Sequence, residues 1–226
     1  MPRGKGIAAV TCAVGIALAA TPARTATLFV DGSLPADCPA AYDPTARSCG
    51  SGAETAYADL AAAAAAAVAG DVVEIRAGTY EEPLVPANGG SEASPLVFRA
   101  YAAEEPVVAN VDDPALRVIG LSWITIEGLT VQDSLGWARL ESATHVVLRD
   151  NVFLRATATG TTGGVKLVDS SYCRLEGNRF EDGNDNVVVQ HSDYNVVAGN
   201  TFVRGRHSLF SLRCGSFNVV RGNRFE

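Results

Sequence analysis

Three segments in the second half of the chain superimpose without gaps: 171–180 (SYCRLEGNRF), 193–202 (DYNVVAGNTF) and 216–225 (SFNVVRGNRF). Two weaker copies precede them, 122–131 (SWITIEGLTV) and 144–153 (THVVLRDNVF). A repeat this short is the strongest constraint on the fold, because one copy cannot bury its own apolar face and must stack on the next. The shared position runs Leu129, Asn151, Asn178, Asn200, Asn223, with spacings of 22, 27, 22 and 23. The one long interval contains 155–164, rich in Thr, Gly and Ala, and reads as an inserted loop.

A second register supports the first. Eleven residues before each shared position stand Val118, Leu140, Leu167, Val189 and Leu212, all in short strand-like runs. Each repeat therefore holds at least two short strands separated by a polar turn. The Leu-x-x-Leu-x-Leu frame of leucine-rich repeats is missing. The expected class is all-β: a right-handed parallel β-helix whose coils lie about 4.8 Å apart. Equivalent side chains then stack on themselves. Asn151, Asn178, Asn200 and Asn223 should form an amide ladder, and Phe153, Phe180, Phe202 and Phe225 an aromatic stack.

The domain reading is a secretion signal over 1–26 and a single β-helix domain over 27–226, with a cap region at 27–70 and coils at 71–226. Arg3 and Lys5 precede an apolar run from Gly6 to Ala20, and small residues follow as far as Ala26. The run is shorter than the roughly 20 residues a spanning helix needs, so an export signal is read, with an uncleaved anchor as the alternative. In an oxidising compartment Cys38 and Cys49 could close a loop. Thr27–Val30 reads as a strand. Residues 54–69, rich in alanine, read as a helix that would cover the open first coil. The sequence stops at Glu226 in mid-repeat. A C-terminal cap is therefore lacking, and the chain reads as truncated, with self-association as the alternative.

Charge narrows the function. The formal charge of −7 argues against a nucleic-acid partner. It is also uneven: 27–114 hold 14 acidic and 3 basic residues, whereas 115–226 hold 11 acidic and 12 basic. Twelve residues before the shared positions stand Arg117, Arg139 and Lys166, followed by Val188 and Ser211. Three stacked cations repel unless an anionic group lies between them. They are the candidate substrate-binding residues, against the plainer reading of a solvated face partnered by Glu141 and Asp169. His145, His191 and His207 are scattered over the repeats, and no cluster has strong metal-ligand spacing. Cys173 and Cys214 lie two coils apart in different columns and should be free thiols, with Cys173 at least partly buried.

The segments 70–80 (GDVVEIRAGTY) and 95–101 (PLVFRAY), with the Gly-Asn-x-Phe repeats, resemble the pectate-lyase-like superfamily over roughly 27–226. Within it the last two coils are most similar to the chondroitinase-B and alginate-lyase family of polysaccharide lyases. That family's Lys-Ser, Asn-Thr-Phe, Leu-Arg-His-Gly and Gly-Asn-x-Phe match His191-Ser192, Asn200-Thr201-Phe202, Leu212-Arg213-Cys214-Gly215 and Gly222-Asn223-Arg224-Phe225. The resemblance implies catalysis by Arg213, with His191 at the position of the family's basic Lys. A uronate lyase neutralises the sugar carboxylate, removes the proton at C5 and expels the glycosidic oxygen. Imidazole and guanidinium suit those tasks. Calcium-using members carry acidic residues just before that Lys. Here 184–186 read Asn-Asp-Asn, with Asp185 the one carboxylate, so calcium has weak support and no metal ligand is assigned.

The expected protein is secreted and acts on an anionic polysaccharide, with cleavage of a uronate polymer by β-elimination as the expected activity. The alternative is a non-catalytic carbohydrate-binding or structural module of a larger surface protein. No membrane partner is expected once the signal is cleaved. A glycoside hydrolase would need paired carboxylates, and Asp169, Asp182, Asp185 and Asp193 share no column.

Overall fold

The structure, a computed structural model, describes residues 25–158 and 163–226. The proposed signal falls almost wholly on residues 1–24, outside the described residues. Among the described residues the strands form three sheets of eleven, seven and five strands. The chain visits each sheet once per coil in the later repeats. One such coil is Val147–Arg149, Val152–Leu154 and Val165–Val168. The next is Arg174–Glu176, Arg179–Glu181 and Asp185–Gln190. Every pairing between successive coils is parallel. Each repeat thus carries three strands, one more than the minimum read from the sequence.

The columns are those the repeat specifies. Val118, Leu140, Leu167, Val189 and Leu212 pair directly from coil to coil. The first four are buried in the continuous core. Phe153, Phe180 and Phe202 are fully buried, and their rings stack at 5.1 and 5.0 Å. Burying a side chain of this size contributes about 1.5–3 kcal/mol by area alone.

The turn between the first two strands of each coil is held by the Asn ladder. Asn151 donates its main-chain N–H and its side-chain amide to Asn178 Oδ1, at 3.0 and 3.1 Å. Asn178 does the same to Asn200, and Asn200 to Asn223. Each amide's second N–H reaches a carbonyl of the preceding coil, as Asn178 does to Leu148 at 2.8 Å. A buried polar turn is thereby satisfied without water. Cys173 N–H donates to Asn195 Oδ1, and Asn195 to Asn218, a second and shorter ladder at the turn entering the eleven-stranded sheet.

The N-terminal segment departs from expectation at the alanine-rich stretch. Only Leu60–Ala66 is helical, while Glu54–Tyr57 is a strand. Tertiary pairing overrides propensity there: Glu54–Tyr57 lies between Thr27–Val30 and Cys38–Asp43. The helix starts where Asp59 accepts from Ala62 N at 2.6 Å, a side-chain cap. It ends where Ala67 turns extended and Asp71 accepts from Val68 N. Its Leu60, Ala63 and Ala64 join the core beside Val30 and Val73.

Cys38 and Cys49 form the disulfide that composition suggested. Beside it, Asp31 is fully buried and accepts from Tyr42 at 2.6 Å and Arg47 at 2.6 Å. Arg76 continues the network to Tyr42, Pro44 and Glu104. Burial and the Asp31 carboxylate push the Tyr42 phenol up to about 12.

Candidate functional site

The outer faces of the three sheets are charged differently. On the eleven-stranded sheet Glu74, Arg99, Glu127, Arg149 and Glu176 pair in direct register, alternating in sign. Arg99 reaches Glu74 at 2.6 Å, and Arg149 bonds Glu127. At the end of the seven-stranded sheet, Asp133 and Arg155 pair at 2.6 Å and Asp182 and Arg204 at 2.9 Å. These ladders neutralise themselves coil by coil.

The five-stranded sheet does not. Arg117, Arg139 and Lys166 stand in direct register, three cations in one column. At about 4.8 Å separation, neighbouring like charges repel by on the order of 1 kcal/mol even in water. Arg117 is partly offset by Asp113 at 2.5 Å, and Arg139 by Glu141 at 2.7 Å. Asp169, expected as a further partner, lies instead 4.0 Å from His191. Burial, together with the charges of Arg139 and Arg213, lowers the Lys166 ammonium from its ordinary value. These side chains line a groove of about 350 Å³ with Pro114, Leu135 and Glu141.

One coil further along the same face, the structure gathers a cluster around Asp185. This carboxylate is 1% exposed. Its Oδ1 accepts from Ser208 Oγ at 2.5 Å and meets His207 Nδ1 at 2.6 Å. Its Oδ2 has no hydrogen-bond partner, and Arg213 Nη2 lies 3.6 Å away. Burial pushes the Asp185 carboxyl up. The hydrogen bonds from Ser208 and His207 and the charges of His207 and Arg213 outweigh it and hold the group below its ordinary value. Gly164 makes room for this arrangement, because a Cβ there would sit 1.8 Å from the Asp185 carbonyl oxygen.

Arg213 and His191 do lie on adjacent coils, joined by a bond from His191 N to Arg213 O at 2.9 Å. Their side chains are engaged in different places. Arg213 donates Nε to Ser211 at 3.0 Å and extends toward Asp185. His191 is a turn residue with φ 47°, in a column with Ser142, Asp169 and Cys214, all left-handed. Its ring neighbours are Gln190 and Asp169. The imidazole on the Asp185 carboxylate is His207, one residue before Ser208, the register partner of Asp185 on the next coil.

Among the described residues no group of three or more His, Cys, Asp or Glu side chains is arranged to hold a metal ion. The Asp185 donor set, one carboxylate whose Oδ1 is taken by Ser208 and His207 and whose Oδ2 faces the Arg213 guanidinium, does not fit calcium, which takes six to eight oxygens. Cys173 is buried and its thiol is pushed up to about 11 by burial, whereas Cys214 is exposed; both are free.

A second external column was not foreseen. Trp123, His145, Tyr172, Tyr194 and Phe217 stack at 3.9, 5.1, 5.1 and 4.9 Å, each in the left-handed region. The signal was present, since these are the second residues of the five aligned segments. Within the column the ring faces cover one another, and Phe217 at its end is the most exposed.

Parallel three-sheet coils with an amide ladder and an aromatic core stack define a β-helix protein. The family model described as "Right handed beta helix region" matches residues 108–226, and the chain belongs to that family. It is 32% identical over 114 residues to "Uncharacterized protein YwoF" of Bacillus subtilis (strain 168), covering 43% of this chain and 24% of that protein. The chain thus spans about a quarter of the length of the curated relative it matches. Among solved structures, an alginate lyase from Paenibacillus sp. str. FPU-7 is similar with a TM-score of 0.58 at 15% identity, over 73% of this chain and 72% of that one. A rhamnogalacturonan lyase is similar with a TM-score of 0.49 at 14% identity, over 85% and 62%. At these identities the likeness is one of fold. Among the described residues no helix is long and apolar enough to cross a membrane.

Proposed function

We propose that the chain is part of a secreted polysaccharide-active β-helix protein that engages an anionic uronate polymer on its five-stranded sheet and cleaves it by β-elimination. The observation that carries this reading is the charge pattern. The outer face of the eleven-stranded sheet alternates in sign along the stack, while that of the five-stranded sheet aligns Arg117, Arg139 and Lys166 without alternation. A polymer with one carboxylate per sugar supplies the missing anions. In this reading Arg117, Arg139 and Lys166 hold successive carboxylates, and Arg213 holds the one at the cleaved residue by a two-pronged hydrogen bond. His191 stands at the base position that the family resemblance gives. The helix Leu60–Ala66 serves as the cap of the first coil. Fold likeness to an alginate lyase supports the substrate class but not the sugar.

The test is ultraviolet absorbance of the unsaturated product during incubation with alginate, polygalacturonate, chondroitin and dermatan. A rise with one polymer, lost in Arg213→Ala while the circular dichroism spectrum is kept, supports the reading. Binding of a polymer without any rise would leave a non-catalytic carbohydrate-binding module.

A further inference from the structure

We infer that His207, oriented by Asp185, is the proton acceptor at the Arg213 site. The inference rests on the β-elimination reading and names the residue that performs its first step.

The argument begins with the tautomer. Asp185 is ionised and buried, so Oδ1 can only accept. At 2.6 Å, His207 Nδ1 must carry the hydrogen that it donates to Oδ1. In the neutral ring the lone pair is then on Nε2, turned away from the carboxylate. The His207 side chain is 66% exposed, so substrate can reach that nitrogen. A buried carboxylate that fixes the ring and its tautomer is the arrangement that makes an imidazole an oriented base. Ser208 fixes the carboxylate in turn, through its own bond to Oδ1.

The second observation is the unpaired oxygen. Asp185 Oδ2 is buried with no hydrogen-bond partner, and Arg213 Nη2 stops 3.6 Å short of it. The pair stands close without closing, so the guanidinium keeps donors for an incoming carboxylate. One Asp185 carboxylate therefore has the base on one oxygen and the carboxylate receptor beside the other. His191 has no comparable link, since its ring faces Asp169 and Gln190.

The step balances as follows. The Nε2 lone pair takes the C5 proton of the uronate. The C5–H electron pair becomes the C4=C5 double bond, passing through an enolate stabilised by Arg213. The C4–O4 bond breaks with its electron pair on O4, which takes a proton from water. The imidazolium returns its proton to solvent. No oxidant or reductant enters.

The experiment uses the whole chain and the polymer that gives the strongest absorbance rise. His207→Ala, with an unchanged melting temperature, is expected to lose at least about a hundredfold in kcat, the lower range for losing a general base. KM should change little, and free imidazole should restore part of the rate, which a structural role would not allow. Asp185→Asn should lower kcat at similar KM, without imidazole rescue. If His207→Ala stays within a few-fold of the parent while His191→Ala is inactive, the inference is overturned and the lyase reading stands. If the parent protein yields no unsaturated product from any polymer, the lyase reading fails and the inference fails with it.

Discussion

Asn178 places its main-chain N–H 2.9 Å and its side-chain amide 3.0 Å from the same oxygen, Oδ1 of Asn200. One carbonyl oxygen of the later coil thus closes the turn of the earlier one. The relation repeats from Leu129 to Asn223. Each coil's turn is completed by the next, which couples the stability of neighbours.

The ladder yields a graded prediction. Asn178→Ala strands the Asn151 main-chain N–H, one N–H of the Asn151 side-chain amide and the Leu148 carbonyl in a buried turn. Leaving even one such group unpaired costs about 1–3 kcal/mol, so a loss above about 2 kcal/mol is expected in urea unfolding. Asn223→Ala, at a half-exposed end rung, should cost markedly less. Equal losses at both positions would contradict a ladder that closes buried turns.

The aromatic stack supplies a parallel test on packing. Phe180 is sandwiched between Phe153 and Phe202 and fully buried, and Trp137 packs 6.2 Å away. Phe180→Ala should cost about 3–5 kcal/mol, the usual range for such a core truncation. Phe225, 51% exposed, should cost well under half of that. Thermal unfolding of the two variants decides it.

These columns were legible in the sequence because a solenoid puts equivalent residues on top of one another. Period alone then assigned Asn151, Phe180 and Leu167 to their contacts. The alanine run Leu60–Ala66 is helical as its propensity predicts, but Glu54–Tyr57 before it is a strand, because propensity is a weak prior against pairing on two sides. The site was only half legible. Register placed Arg117, Arg139 and Lys166 correctly in one column, since register fixes which Cα atoms align. It did not fix where long side chains reach. Arg213 aligns with Gln190, yet its guanidinium lies toward Asp185, five residues back along that strand. Nothing in the sequence points to His207, which precedes its strand and matches no family motif.

The buried network around Asp31 gives a pH prediction. Burial pushes its carboxyl up, but the bonds from Arg47, Tyr42 and Ser33 win and hold it far below the usual carboxylate range. A folded value below the unfolded value of about 3.9 means that the stabilisation is present above that pH. It is lost as pH falls through the folded value. Melting temperature should therefore drop steadily below about pH 4 in the parent protein. Asp31→Asn should be less stable at neutral pH yet flatter in acid. A variant that keeps the parent's acid slope would show that other carboxylates carry it.

The Cys38–Cys49 bond ties down the same segment. Its loop has a sequence separation of 11. Closing a loop of that order stabilises by about 2–3 kcal/mol. Reduction, or Cys38→Ser with Cys49→Ser, should lower the melting temperature by several degrees while leaving the circular dichroism of the coils unchanged. Loss of the whole β signal on reduction would mean that the coils depend on this segment for folding.

The cation column makes the most direct prediction about ligands. Arg117, Arg139 and Lys166 repel one another, so an anion bound between them gains twice, by its own attraction and by relieving that repulsion. Lys166→Ala should weaken binding of polygalacturonate or alginate by several-fold in isothermal titration. It should also reduce the fall in affinity as salt is raised, because one fewer screened contact remains. Arg155→Ala serves as the control. That arginine is paired with Asp133 at the end of a different sheet and should leave polymer affinity unchanged. A neutral glucan should not bind either protein. If Arg155→Ala weakens binding as much as Lys166→Ala, attraction is a matter of general charge, and the unalternated column has no special part in it.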